Sequence, residues 1–241
     1  MRLLGIQFRN ELVTTLRNGE QLLLMIVIPM LLLVFFGLVD ILPTGDEDPV
    51  EFLVPGVIAL AVMSTAMVSL GIKTGFERSY LVLKRLAVTP LGRGRLVAAK
   101  TLAVVVIEVI QLAVLLPVAV AIGWDPPATR WLMVLMAVVL GTIAFAGLGL
   151  LMAGRLRAEV NLAAQNGLYL VLLLLGGIVV PLSELPDAMA EVVQYLPSAA
   201  LADVLREAFG GAAVQPGVSA LVLAVWAVVT PPIAAAMFRW W

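Results

Sequence analysis

The chain has 241 residues, a formal net charge of −1, 62% hydrophobic and 13% charged residues, and a mean hydropathy of +1.09. A soluble domain is closer to half apolar and about a quarter charged, so the composition predicts an integral membrane protein. With no Cys and no His, a disulfide framework, the usual zinc sites and acid–base catalysis by histidine are excluded. The sequence also lacks a Gly-x-x-x-x-Gly-Lys-Ser/Thr loop, so no segment is expected to bind the phosphates of ATP.

Residues 1–20 predict an amphipathic helix in the cytoplasmic interface of the membrane. Leu4, Phe8, Leu12 and Leu16 recur every four residues, with three arginines among them. A secretory signal peptide is the alternative for this region. The apolar run that follows is too long for a signal peptide and ends without an Ala-x-Ala-like cleavage site, which favours the interface helix.

Apolar runs of about 20 residues can cross the hydrocarbon core as helices. The spans are predicted at residues 21–42, 52–72, 101–123, 131–153, 166–180 and 217–238. The fifth is short for a full crossing, and two short helices are predicted in the segment that follows it, at 186–195 and 199–209. The predicted fold class is an all-α polytopic membrane protein, one transmembrane domain over 1–241.

Small residues in the fourth span predict close helix packing, because the pairs Ala137-xxx-Gly141 and Gly149-xxx-Ala153 let another helix approach. In the second short helix after the fifth span, Asp203, Arg206 and Glu207 are expected to form the polar side.

The basic residues predict the orientation in the membrane. Thirteen of the fifteen Lys and Arg residues lie on one side of the predicted spans, and only Arg130 and Arg206 lie on the other. The excess marks the cytoplasmic side, so both termini are expected in the cytoplasm. Arg outnumbers Lys by twelve to three, which is typical of a high-GC bacterial genome, and the predicted location is the bacterial plasma membrane.

Seven basic residues fall in the segment 73–100, between the second and third predicted spans. Its first part has helical amphipathic spacing and is predicted to form one helix that ends at Thr89-Pro90. A basic cytoplasmic loop without further function is the simpler interpretation. However, Leu83-Lys-Arg-Leu-Ala-Val-Thr-Pro-Leu91, preceded by Glu77-Arg78, resembles the coupling loop of ABC-2-type export permeases. Ser79-Tyr80 stands where members of that family often carry Gly-Thr.

The resemblance implies that this loop forms a coupling helix in a groove of an ATPase subunit. The residues that it assigns to the coupling contact are Glu77, Arg78, Leu83, Lys84, Arg85, Leu86, Thr89 and Pro90. Pro181-Leu-Ser-Glu-Leu-Pro186, Leu196-Pro-Ser198 and Arg206 are also similar to the family pattern. That likeness implies that residues 181–216 form a helix pair re-entering the outer leaflet.

The family resemblance further implies two permease chains, identical or closely related, and two ATPase subunits that bind ATP and Mg²⁺. On this hypothesis the chain binds no cofactor, contacts membrane lipid but no nucleic acid, and is a permease without enzymatic activity. Its expected substrate is a hydrophobic drug or a lipid-like molecule, exported by alternating access.

Polar residues within the spans are candidates for a substrate path. Glu108 and Gln111 share a face of the third span, and Asn161, Gln165 and Asn166 lie at the entry to the fifth. Each set either bonds helices together or lines a pathway. If Glu108 relays protons, the alternative function is a proton-coupled secondary carrier, with 73–100 and 181–216 in matching places of two inverted halves. A membrane-embedded enzyme is a third, more distant hypothesis.

Overall fold

The computed structural model describes residues 2–39, 49–125, 129–178, 182, 185–211, 215 and 217–239, and its regular structure there is helical. The helices are α1 (Arg2–Leu16), α2 (Gly19–Leu38), α3 (Pro49–Met63), α4 (Leu70–Ser79), α5 (Val82–Ala87), α6 (Arg93–Ala121), α7 (Trp131–Ala153), α8 (Ala158–Leu175), α9 (Asp187–Val193), α10 (Pro197–Ala208) and α11 (Val218–Met237). A π-helical segment, Ser64–Ser69, joins α3 to α4, so that Pro49–Ser79 is one continuous helix.

Six helices in the described part are long and apolar enough to cross a membrane, which confirms the predicted all-α polytopic class. They are Gly19–Leu38, Pro49–Ser79, Arg93–Ala121, Trp131–Ala153, Ala158–Leu175 and Val218–Met237. The last residues of the first predicted span, 40–42, lie outside the described residues.

The second and third spanning helices are longer than the sequence predicted. The prediction ended the second span before Lys73 and began the third after Lys100, because a charge in hydrocarbon is costly. Both lysines instead pair with carboxylates inside the helix bundle, so the helices continue past them. The predicted loop 73–100 therefore consists of the end of α4, the short helix α5 and the beginning of α6.

The fifth spanning helix begins at Ala158 rather than at the predicted 166. Asn161 and Gln165 are fully buried in this helix and donate hydrogen bonds to backbone carbonyls of neighbouring helices. Polar residues with such partners do not end a helix, which is why the prediction placed the boundary too late. The predicted residues 179 and 180 lie outside the described part.

Helix α7 lies in the core, packed against α10, α11, α3 and the π-helical segment. Its small residues make this possible, as predicted. A Cβ atom on Gly149 would lie 2.5 Å from the carbonyl oxygen of Met67, and one on Gly141 would lie 2.8 Å from a methyl group of Leu201. Ala137 is also buried.

Two short helices precede α11. Pro197 is the first residue of α10, a position where the missing N–H of proline costs no hydrogen bond. Asp203 and Arg206, which were expected on the polar side of this helix, are both buried. Asp203 accepts a hydrogen bond from Ser219 Oγ at 2.6 Å, and the Arg206 guanidinium lies 4.2 Å from the centre of the Phe52 ring.

Segments predicted on the same side of the membrane lie at the same end of α7. At its carboxyl end the backbone N–H of Arg239 donates to the Gly154 carbonyl at 3.2 Å. At its amino end Arg130 lies 3.5 Å from Glu207, and the backbone N–H of Arg130 donates to Ala208. These contacts keep Arg239 with Gly154, and Arg130 with Glu207 and Ala208, in the pairs that the charge pattern placed on one side.

The close approach at Gly149 can be tested with matched substitutions. Gly149→Ala should lower the free energy of unfolding by about 1–3 kcal/mol, since the added methyl group meets the Met67 backbone. Gly167→Ala in α8 is the control, because a Cβ there meets nothing within 4 Å, so it should be neutral or stabilise the helix by up to about 1 kcal/mol. Thermal unfolding followed by size exclusion in detergent measures both. Equal midpoints for the two variants would contradict the close packing.

Candidate functional site

A groove with a volume of about 790 Å³ opens between α2 and the continuous helix Pro49–Ser79, and α8 completes its wall. The π-helical segment contributes Ser64, Val68 and Ser69 to the lining. Segments of this type occur often at functional sites, because the extra residue in the turn disturbs regular packing. The volume is that of a pocket for one drug-sized ligand, which spans about 300–1,000 Å³.

The lining of the groove has a polar part and an apolar part. Along α2, Gln21 is followed by Leu24, Ile28 and Pro29, which face the same space. The polar part, here called the polar band, consists of Asn18, Gln21, Ser69, Lys73 and Glu77. Within the band the Gln21 amide donates to Ser69 Oγ, and Asn18 Nδ2 donates to Gln21 Oε1 at 3.1 Å.

An ion cluster of Glu11, Lys73, Glu77 and Lys100 lies beside the polar band. Lys100 Nζ is 2.9 Å from Glu11 Oε1 and 2.6 Å from Glu77 Oε2, and Lys73 Nζ is 3.0 Å from Glu11 Oε2. The Lys100 side chain has no exposed surface, while those of Lys73 and Glu77 are 19% and 20% exposed. Two cations and two anions balance one another, which is the condition for burying such charges.

Glu11 is the centre of this cluster. Burial alone would raise the pKa of its carboxyl, but the charges and hydrogen bonds of Lys100 and Lys73 outweigh burial and bring the pKa below its ordinary value. Gln7 Nε2 also donates to Glu11 at 2.8 Å. Helix α1 therefore buries Gln7 and Glu11 against the bundle, while its leucines, such as Leu16, are at least partly exposed.

The sequence predicted Glu77 as a coupling residue but did not predict its pairing with Lys100, or the pairing of Lys100 and Lys73 with Glu11. A signal was present in the sequence. Lys73 and Glu77 are one helical turn apart, and a lone Glu11 interrupts the amphipathic N-terminal segment. Charges so close to apolar spans require partners. What the sequence did not show was which helices would meet.

The predicted helix up to Thr89 is broken at Leu81, where the structure differs from the expectation. Leu81 has a φ of 61°, in the left-handed region that non-glycine residues seldom adopt, and separates α4 from α5. The break turns α5 so that Leu83 becomes fully buried against Leu91, Leu96 and Phe238. One apolar contact thus ties α5 to the start of α6 and to the end of α11.

The other predicted coupling residues divide into anchored and exposed ones. Arg78 donates to the Leu156 carbonyl at 2.6 Å, Leu86 is partly buried, and Thr89 Oγ1 donates to the Leu86 carbonyl at 2.6 Å. Lys84 and Arg85 are exposed, as is Pro90, whose carbonyl accepts a hydrogen bond from Arg95.

Exposed apolar side chains surround these charges. Tyr80 is 71% exposed and Val88 is 87% exposed, with Leu81 and Val82 between them in the sequence. Beside Leu81 lies a second cavity, of about 310 Å³, lined by Arg78, Arg157 and Glu159 among others. The surface at this end of the molecule therefore combines apolar and basic side chains.

Glu108 and Gln111 are both buried between helices. Gln111 accepts a hydrogen bond from Thr65 Oγ1 at 3.1 Å and donates one to the Met25 carbonyl at 2.9 Å. Glu108 is hydrogen-bonded to Thr142 Oγ1, which also lies 2.7 Å from the Val138 carbonyl. A hydroxyl has one hydrogen. If it goes to Val138, the Glu108 carboxyl must be protonated and donate to Thr142.

Asn161, Gln165 and Asn166 do not act as one set. Asn161 Nδ2 donates to the Gly71 carbonyl at 2.9 Å, and Gln165 Nε2 donates to the Gly149 carbonyl at 2.9 Å. These two amides bond α8 to α4 and α7. Asn166 is exposed and lines the groove, with its amide on the Leu162 carbonyl. Of the five predicted path residues, the groove contains only Asn166.

Comparison with known proteins agrees with this architecture. The model of the ABC-2 type transporter family matches residues 2–209. The chain belongs to the ABC-2 type transporter family. A curated protein of Bacillus subtilis (strain 168) named "Putative transport permease YvfS" is 27% identical over 200 residues, which cover 82% of each chain.

Membership of the ABC-2 family establishes the general role. The chain is a multi-pass membrane component of a transporter and is not itself the catalytic subunit. In this family nucleotide binding belongs to a partner ABC ATPase. Three features of this permease are candidates for a role in transport: the groove, the ion cluster and the exposed surface around α5.

Removing one charge from the ion cluster tests its importance. Lys100→Met leaves Glu11 and Glu77 with Lys73 as the remaining cation, so we expect a loss of about 3–5 kcal/mol in the free energy of unfolding. Lys100→Met/Glu77→Gln should recover part of that loss, because one anion is removed with the cation.

Lys84→Met is the matched control, since Lys84 is exposed and should change stability by no more than about 0.5 kcal/mol. Denaturant or thermal unfolding in detergent measures all three proteins. If Lys100→Met behaved like Lys84→Met, the buried cluster would have no structural role.

Proposed function

We propose that this permease is the membrane subunit of an ABC exporter that carries a hydrophobic drug or lipid-like substrate out of the cytoplasm. The groove is the proposed substrate site, and a separate ATPase supplies the energy. The observation that carries the proposal is the continuous helix Pro49–Ser79. It lines the groove with its π-helical segment and with α4, and it ends at the turn before α5.

The nature of the groove supports a hydrophobic cargo. Its apolar lining includes the side chains of Leu24, Ile28, Val68, Phe76 and Tyr169. Burial of an apolar ligand surface there is favourable by roughly 25 cal/mol per Å². A few polar groups beside such a surface fix the orientation of a ligand.

The surface around α5 supports coupling to an ATPase. Val88 and Tyr80 offer apolar contact area, Lys84 and Arg85 offer charges, and Leu83 anchors the short helix to the spanning helices. A partner that moves α5 would therefore move the ends of α4, α6 and α11 with it. The cavity beside Leu81, lined by two arginines and one glutamate, has a net positive lining that suits an acidic side chain of that partner.

The proposed assembly has two permease chains, identical or closely related, and two ATPase subunits that hold ATP and Mg²⁺. Its location is the bacterial plasma membrane, with both termini in the cytoplasm, because the basic residues are concentrated at that end. In this arrangement α1 lies in the cytoplasmic interface, and α9 and α10 form the re-entrant pair on the outer side.

The alternative function, a proton-coupled carrier, requires Glu108 to exchange protons with water. Glu108 is 1% exposed and is not part of the groove lining. Its hydrogen bond to Thr142 suits a neutral carboxyl that holds α6 against α7. The arrangement favours a packing role, and the exporter remains the proposal.

Glu108→Gln distinguishes these two roles. The amide has a similar shape and can donate to Thr142, so we expect ATP-driven transport within about twofold of the wild type and a stability change below about 1 kcal/mol. Transport into proteoliposomes and thermal unfolding are the measurements. A well-folded Gln variant without transport would favour the proton relay.

Coupling is tested at Arg85, which is exposed. Arg85→Glu should weaken association with the ATPase by about 2–5 kcal/mol if a buried partner charge is left unpaired, and cargo should no longer stimulate ATP hydrolysis. Arg9→Glu, an equal reversal at an exposed site on α1, is the control. Glu77 is less suitable, because its reversal would also break the ion cluster.

The measurements are affinity capture of the ATPase and cargo-stimulated hydrolysis. Wild-type values in Arg85→Glu would remove this surface from the mechanism. Uptake by the purified permease alone, driven only by a pH gradient, would contradict the exporter proposal itself.

A further inference from the structure

The polar band of the groove combines one cation and one anion. Lys73 and Glu77 lie one turn apart on α4, and both line the groove with about a fifth of each side chain exposed. The other members of the band, Asn18, Gln21 and Ser69, are uncharged amides and a hydroxyl. The band as a whole is therefore dipolar and has no net charge.

Both charges retain capacity for a further hydrogen bond. The Lys73 ammonium has three hydrogens. Two of them are directed to Glu11 Oε2 at 3.0 Å and Thr15 Oγ1 at 3.2 Å, and one remains. Glu77 accepts from Lys100 through Oε2, and a carboxylate has about four lone-pair sites. A ligand at the band can thus meet a positively charged donor and a negatively charged acceptor.

The spacing of Lys73 and Glu77 along α4 allows one small dipolar group to lie beside both residues. Residues four apart on an α-helix are separated by a rise of about 6 Å. On the opposite wall, the apolar lining of α2 from Leu24 to Pro29 begins one turn beyond Gln21. A ligand that places a polar group at the band can therefore extend an alkyl chain along α2.

We infer that the groove binds a single-chain amphiphile with a zwitterionic head group. Its phosphate or carboxylate would lie beside Lys73, its ammonium beside Glu77, and its chain along α2. An anionic head group would be attracted by Lys73 but repelled by Glu77. A cationic head group would be attracted by Glu77 but repelled by Lys73. The volume of about 790 Å³ suits one drug-sized molecule. This inference rests on the proposed function and narrows its substrate class.

The test compares three amphiphiles with the same brominated chain: lysophosphatidylcholine, lysophosphatidylglycerol and an alkyltrimethylammonium salt. The full chain is placed in nanodiscs, and quenching is measured for Tyr169→Trp, a reporter in the groove wall. Val228→Trp is the control, since Val228 is 70% exposed on α11 and reports partition into the bilayer. Wild-type fluorescence is subtracted, because the chain has five tryptophans.

We expect the zwitterionic probe to quench Tyr169→Trp at about a tenfold lower membrane concentration than the other two, as for one additional charged hydrogen bond. The three probes should quench Val228→Trp alike. Adding Lys73→Gln should move the preference toward the cationic probe, and Glu77→Gln toward the anionic one. Each variant leaves Lys100 paired with Glu11.

Equal quenching of Tyr169→Trp by the three probes, or a preference for the anionic or cationic probe, would overturn the inference. The comparison of head groups needs neither charge variant, so it stands even where one of them fails to fold. It is also separate from the proposed function. ATP-driven export of another amphiphile by a transporter whose groove shows no head-group preference would leave the exporter proposal intact.

Discussion

The buried contact of Lys100 with Glu11 and Glu77 is the constraint on which this end of the helix bundle depends. A fully buried ammonium is stable only while its two carboxylates remain in place. Those carboxylates belong to α1 and α4, so the charge holds three helices in one arrangement. Lys73 extends the same cluster into the groove wall. The groove and the anchoring of α1 therefore share a set of charges.

A second contact, at Leu83, continues this connection toward α5. Leu83 is buried against Leu91, Leu96 and Phe238, which come from the loop after α5, from α6 and from the end of α11. The ion cluster fixes α4 and α6 just above this point. A displacement of α5 should be transmitted to α4 and α6, because the ion cluster fixes these two helices relative to each other. The exposed Val88 and Arg85 lie on the part of the segment left available to a partner.

Hydropathy predicted the six spans because the apolar runs dominate the composition, but it placed several boundaries wrongly. The predicted spans exclude Lys73, Lys100, Asn161 and Gln165, although each of these residues has polar partners inside the bundle. Partners from distant parts of the chain leave no local pattern. The same limit applies to the groove, of which the sequence identified only Asn166 as a path residue. The groove forms only where α2, the π-helical segment and α8 pack together in the folded chain.

The π-helical segment Ser64–Ser69 also sets the direction in which α4 faces. An α-helix advances about 100° per residue, so each residue that a π turn accommodates rotates all later side chains by that angle. Without it, Lys73 and Glu77 would be turned more than a quarter of a circle away from their partners on α1 and α6. Deletion of one residue from the π-helical segment would therefore turn Lys73 and Glu77 away from their partners. The length of the helix Pro49–Ser79 would hardly change.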